Sequence, residues 1–139
     1  MENVKLKINT AQTVDDAGNE ETIEILTEAT LEKSEGVFII NYDESDITEN
    51  KGSRTRLKIY KHKMIMTKIG LFSSKMEFQK EKKYRNLYST PYGSFDLEYI
   101  TINYNNSLNE RGRGNVYAEY KIIFADSEES YNKLNIDII

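Results

Sequence analysis

Tyr84-Arg85-Asn86-Leu87-Tyr88-Ser89-Thr90-Pro91-Tyr92-Gly93 holds the only proline of the 139-residue chain, with a glycine two residues later. Proline fixes φ and donates no hydrogen bond, and the residue before it is pushed toward extended backbone. Tyr88, Thr90 and Tyr92 therefore share one parity of an extended segment that ends in a corner. On both sides of this corner apolar residues recur at every second position, the period of a strand. The fold class that follows is all-β.

Downstream, Phe95, Leu97 and Tyr99 oppose Asp96 and Glu98, after which the apolar parity switches to Ile100, Ile102 and Tyr104. One β-bulge produces such a slip. Asn105–Asn115 contains Arg111-Gly112-Arg113-Gly114, a glycine-rich hairpin loop. Val116, Ala118, Tyr120, Ile122 and Phe124 make the clearest inward face, and Asn132, Leu134, Ile136 and Ile138 end the chain as a strand.

Upstream, Val4, Leu6 and Ile8 alternate with Lys5, Lys7 and Asn9. Glu20–Lys33 has helix-favouring Glu, Leu and Ala, but its threonines and alternation favour a strand. Val37–Tyr42 is a compact apolar strand, and Asp43–Lys51 reads as a longer connection. Thr55, Leu57 and Ile59 face opposite Arg54, Arg56 and Lys58. Lys61-His62-Lys63 is a hairpin tip; Met64, Met66 and Lys68 share one face of the next strand. Ser74, Met76 and Phe78 share another, and Lys80–Lys83 is a charged turn.

This predicts eight to ten strands joined by short hairpins, in one domain spanning 1–139. A meander of that size leaves two edges unless first and last strands pair. The expected architecture is a closed antiparallel up-and-down barrel, wide enough at about eight strands to hold a small ligand.

Cysteine is absent, which excludes disulfides, thiolate metal sites and a cysteine nucleophile. No apolar run has the length of a membrane span, and the alternating start has no signal-peptide core. A cytoplasmic location without membrane contact is expected. The net charge of −4 hides segregation: residues 1–50 sum to −10, 51–85 to +10 and 86–139 to −4.

The order and spacing of several stretches resemble the YwiB-like family of uncharacterised bacterial proteins. These are Tyr42-Asp43-Glu44-Ser45 with Ile47-Thr48, then Gly52, Thr55 and Leu57-Lys58-Ile59. They continue with Gly70, Ser74-Lys75-Met76-Glu77-Phe78, Thr90-Pro91-Tyr92-Gly93, Ser130, Asn132 and Leu134-Asn135-Ile136. The resemblance implies a calycin-like barrel, related in shape to lipocalins, and no established activity.

The first candidate site is the barrel interior or mouth, with Tyr42, Glu44, Lys68, Tyr84, Tyr88, Tyr92 and Tyr120 as ligand-binding residues. Lys68 is a cation where a core strand should be apolar. It reaches the mouth, pairs with an acid such as Glu44, or meets an anionic ligand. The tyrosines serve equally as structural packing whose hydroxyls need partners. The second candidate is a surface of Arg54, Arg56 and Lys58 within the basic strands 51–85, facing an anionic macromolecule such as nucleic acid or an acidic protein. Its alternative is cross-strand pairing with acids or simple solvation. Lone His62 between two lysines has no carboxylate neighbour in sequence. No phosphate loop, metal spacing or nucleophile elbow occurs. The chain is therefore expected to be a binding protein without catalysis, cofactor or metal.

Overall fold

The alternating stretches form ten strands in the computed structural model, which describes residues 1–13, 20–43, 53–70, 73–123 and 129–139, the side chains of 86–90 and 95 excepted. They are β1 (Glu2–Thr13), β2 (Glu20–Ser34), β3 (Val37–Asp43), β4 (Arg54–Ile59), β5 (Lys63–Ile69), β6 (Ser74–Gln79), β7 (Lys83–Thr90), β8 (Gly93–Asn106), β9 (Gly114–Ile123) and β10 (Glu129–Ile138). No helix occurs among the described residues.

All ten strands share one antiparallel sheet in the order β6-β5-β4-β3-β2-β1-β10-β9-β8-β7. First meets last: Leu6 stands opposite Ile138 and Gln12 opposite Asn132. Reciprocal backbone bonds between Lys5 and Ile139, 3.1 and 2.9 Å, extend that ladder. The expected closure thus occurs, with one difference. The sheet's two free edges are β6 and β7, which are consecutive in sequence. The charged turn Lys80–Lys83 does not set them in a hairpin ladder, because its backbone bonds elsewhere. Glu81 N donates to Thr101 O at 2.8 Å, and Thr101 N donates to Lys82 O at 3.2 Å. Glu81 takes φ 67°, rare for a residue with a side chain, and the turn carries the chain onto β8.

The parity slip in β8 is a register shift between Thr101 and Asn103. Its consequence differs from the sequence expectation. Before the shift the inward residues are Tyr99 and Thr101, both buried, and Ile100 lies on the opposite face. After it, Tyr104 joins the core.

The interior is filled by alternate residues. Ile40, Leu57, Met64, Phe78, Val116 and Ile136 have no accessible surface. One end is sealed. The loop between β8 and β9 folds across it, with Leu108 packed on the core. Gly112 lies so close that a Cβ there would stand 2.9 Å from Phe38 Cδ1 and 3.0 Å from Leu31 Cδ2. Asn109 Oδ1 accepts hydrogen bonds from Arg111 N and Arg113 N, at 2.9 and 3.1 Å, and holds the loop's turn. The Arg-Gly-Arg-Gly stretch is therefore a plug at the barrel floor.

Pro91 and Tyr92 form the two-residue tip between β7 and β8, where Thr90 pairs with Gly93 at φ 131°. A side chain is strained at that φ even though nothing lies within 4 Å. Gly93→Val should lower stability by about 1–3 kcal/mol. Pro91→Ala, which loosens only the unfolded chain, should lower it by less than about 1 kcal/mol. Urea melts of the two variants separate these effects; equal midpoints would show that Gly93 has ordinary extended geometry.

Candidate functional site

Inward side chains change character along the barrel axis. At the sealed end they are apolar. Toward the end where β1, β3, β5 and β9 stop, they become polar on strand after strand. On β10 the inward series runs Ile138, Ile136, Leu134, Asn132, Ser130; on β1 it runs Val4, Leu6, Ile8, Thr10, Gln12. On β4 it runs Ile59, Leu57, Thr55; on β5, Met64, Met66, Lys68; on β6, Phe78, Met76, Ser74. Thr55, Ser130 and Asn132 are buried there, as is Ser53 just before β4. Buried polar groups are costly unless bonded, so the gathering of so many at one end marks that end as chemically distinct.

Register sorts these residues into two rows. On one wall, Tyr42, Thr55, Lys68 and Ser74 stand opposite one another across β3, β4, β5 and β6. Tyr42 and Thr55 are buried and Lys68 is half-buried, and each is engaged with a neighbouring group. On the facing wall, Thr101, Tyr120, Asn132, Gln12 and Glu21 form a row across β8, β9, β10, β1 and β2. Gln12 Nε2 donates to Ser130 Oγ at 3.0 Å, and Asn132 Nδ2 donates to Ser130 O and Oγ, each at 3.1 Å. Thr101 Oγ1 is buried with no hydrogen-bond partner. A cavity of about 180 Å³ is lined by Thr10, Gln12, Glu21, Ile23, Tyr120 and Asn132, with Ala11 and Lys133 beside them.

Aromatic rings close the seam between β6 and β7. Tyr99 Oη accepts the Glu77 backbone N–H at 2.6 Å, satisfying an amide of the free β6 edge. Tyr84 stacks on Tyr99 with ring centroids 5.5 Å apart, and Phe78 sits 6.2 Å from Tyr99 and 4.8 Å from Tyr120. Burial pushes the Tyr99 phenol up to about 12, although the Glu77 backbone bond opposes this. Burial likewise pushes Tyr120 up to about 12 and raises Tyr104, whose hydroxyl donates to Tyr60 O at 3.0 Å. Tyr84 is raised by partial burial and then by the nearby Glu77 carboxylate. These phenols are neutral donors at pH 7.

Of the residues expected at the interior or mouth, Tyr42, Lys68 and Tyr120 lie at the polar end, and Tyr84 is half-buried at the seam. Tyr92 is a correction: at the hairpin tip it is 91% exposed, because β8 pairs with β9 only from Glu98 onward and the tip extends past that partner. Glu44 and the Tyr88 side chain lie outside the described residues, so the expected Lys68–Glu44 pair does too. Sequence reading missed Gln12, Thr101, Ser130 and Asn132. The signal for Asn132 was present, a carboxamide at the parity of Leu134, Ile136 and Ile138. That for Thr101 was hidden by the bulge.

Arg54 and Arg56 are exposed on the outer face of β4, with Lys58 half-buried beside them. Arg56 Nε donates to Asn41 Oδ1 at 3.0 Å. The ion pairs Lys7–Glu24, Lys83–Glu98, Lys121–Glu129 and Lys133–Glu20 lie elsewhere. The neighbouring outer positions Ile65, Thr67 and Ile69 carry no charge, so the cations of β4 and β6 do not form one continuous field.

Residues 7–136 match the family described as Domain of unknown function (DUF1934). The crystal structure of the ywiB protein from Bacillus subtilis is similar at TM-score 0.72 and 14% identity, covering 98% of this chain and 91% of that one. At that identity the likeness concerns the fold. No curated protein matches the sequence.

Tyr99→Phe removes the acceptor of an edge amide. It should cost about 1–2 kcal/mol and speed hydrogen exchange at Glu77, while β1 and β10 amides stay protected. Unchanged Glu77 exchange would show that the seam is held otherwise. The raised phenols also set an alkaline limit. A folded pKa above the unfolded value contributes stability that is complete below about pH 10 and lost as pH rises through about 12. Stability should thus be flat from neutral pH to about 9 and then fall, less steeply in Tyr120→Phe; a curve flat to pH 12 would contradict it.

Proposed function

The chain belongs to the family described as a domain of unknown function (DUF1934), and from that premise we propose that it is a binding module whose polar barrel end receives a small, partly apolar or anionic ligand. One observation carries the reading: inward residues turn from apolar to polar on five strands, always toward the same end. A barrel selected only for stability gains from apolar residues throughout, since each polar group taken from water must be compensated. A recess with convergent polar groups over an apolar floor is the usual form of a small-molecule site. Lys68, on the wall with Tyr42 and Thr55, supplies a cation for an anionic group. The reading involves no catalytic step. Surface binding of an anionic macromolecule by Arg54, Arg56 and Lys58 gains less support, because the cations are interrupted on the β5 face.

A thermal-shift screen of small polar and anionic compounds, followed by amide chemical shifts, tests this. A ligand at 100 times its Kd stabilises by about 2.7 kcal/mol, a measurable rise in Tm. The perturbed amides should cluster at Thr10–Gln12, Thr55, Lys68 and Ser130–Asn132. No hit, or shifts confined to the plugged end, would refute the reading.

A further inference from the structure

Resting on the partly apolar form of that reading, not its anionic form, we infer that the ligand is an uncharged, polyhydroxylated molecule of monosaccharide size, held by the wall of Gln12, Tyr120 and Asn132. Gln12 and Asn132 each have hydrogen-bonding capacity to spare. Gln12 gives one amide hydrogen to Ser130 Oγ and keeps a second hydrogen and its oxygen. Asn132 directs Nδ2 to Ser130 O and Oγ, and its Oδ1 has only a 3.5 Å contact from Ser130 Oγ. The phenol of Tyr120 is a neutral donor.

Gln12, Tyr120 and Asn132 therefore present both donors and acceptors and carry no formal charge themselves, while Glu21 and Lys133, of opposite sign, line the same cavity. A hydroxyl is the ligand group that answers both, because it donates and accepts at once. A phosphate or carboxylate would face the carboxamide oxygens and the Glu21 carboxylate, while the Lys133 ammonium at the same cavity is already paired with Glu20 at 3.8 Å. An alkyl chain would leave the carboxamides and hydroxyls unpaired. The cavity of about 180 Å³ equals roughly six water volumes, room for one sugar ring and too little for a nucleotide or long acyl chain. Ile23 lines it and is 52% exposed, an apolar surface for the C–H face of such a ring. Lys68 stands on the other row and takes no part in this wall.

The test uses the full chain and four probes by titration of amide shifts: glucose, N-acetylglucosamine, inorganic phosphate and decanoate. The neutral sugars should shift Gln12, Tyr120 and Asn132. Asn132→Leu continues the aliphatic face of β10, so its melt should equal or exceed that of the parent while sugar affinity falls about tenfold or more. Phosphate or decanoate binding at the same end with silent sugars overturns the inference and leaves the binding-module reading standing. Sugar shifts that survive Asn132→Leu overturn it as well. Silence of all four probes, together with an empty screen, removes both.

Discussion

The hydrogen-bonded pairing of β1 with β10 is the contact on which the other features rest. It joins the two halves of the chain into one ten-stranded antiparallel sheet that curls into a nearly closed barrel, and it removes the two edges that the chain termini would otherwise expose. With the termini paired to each other, the sheet's two unpaired edges lie within the chain. They fall between β6 and β7, two strands joined by a short turn. The backbone of that turn is committed to Thr101. The seam is then closed by side chains: the Tyr99 hydroxyl caps an edge amide and the stacked Tyr84 ring covers it. A short β6 bearing Lys75 and Glu77 further limits edge-to-edge association.

Closure also explains why the barrel has a direction. Alternation brings every second residue inside, and a lumen of this width is filled where those residues are large and apolar. That condition holds from the plug at Leu108 and Gly112 up through Leu57, Phe78 and Ile136. Beyond that level Thr, Ser, Gln, Asn and Lys enter the inward positions, beside Ile23, Tyr120 and Ile122. They bond partly to one another, as Gln12, Ser130 and Asn132 do, which keeps their cost tolerable without exhausting their capacity. One end of the barrel thus supplies stability and the other supplies chemistry.

Much of this was legible in the amino-acid pattern. Alternation in Val4–Ile8, Thr55–Ile59 and Val116–Ile122 predicted strands, and the need to hide edges predicted closure. Lys68 stood out as a cation on a core face, and the structure places it at the polar end. The rest required three dimensions. A bulge shows in sequence as a change of parity, but which residue it turns inward depends on where the register slips; Thr101, not Ile100, faces in. The row from Glu21 to Thr101 joins residues 80 positions apart, which only strand register can align. Tyr92 has the parity of a lining residue, but its place at a hairpin tip exposes it.

Amide hydrogen exchange resolved residue by residue is the most direct test of the account. If the termini close the barrel, amides bonded across Leu6–Gln12 and Asn132–Ile138 will exchange as slowly as those between β3 and β4, and cross-strand proton contacts will link Ile8 with Ile136. Fast exchange along β10 with no such contacts would mean an open sheet, and the directional interior argued above would not exist.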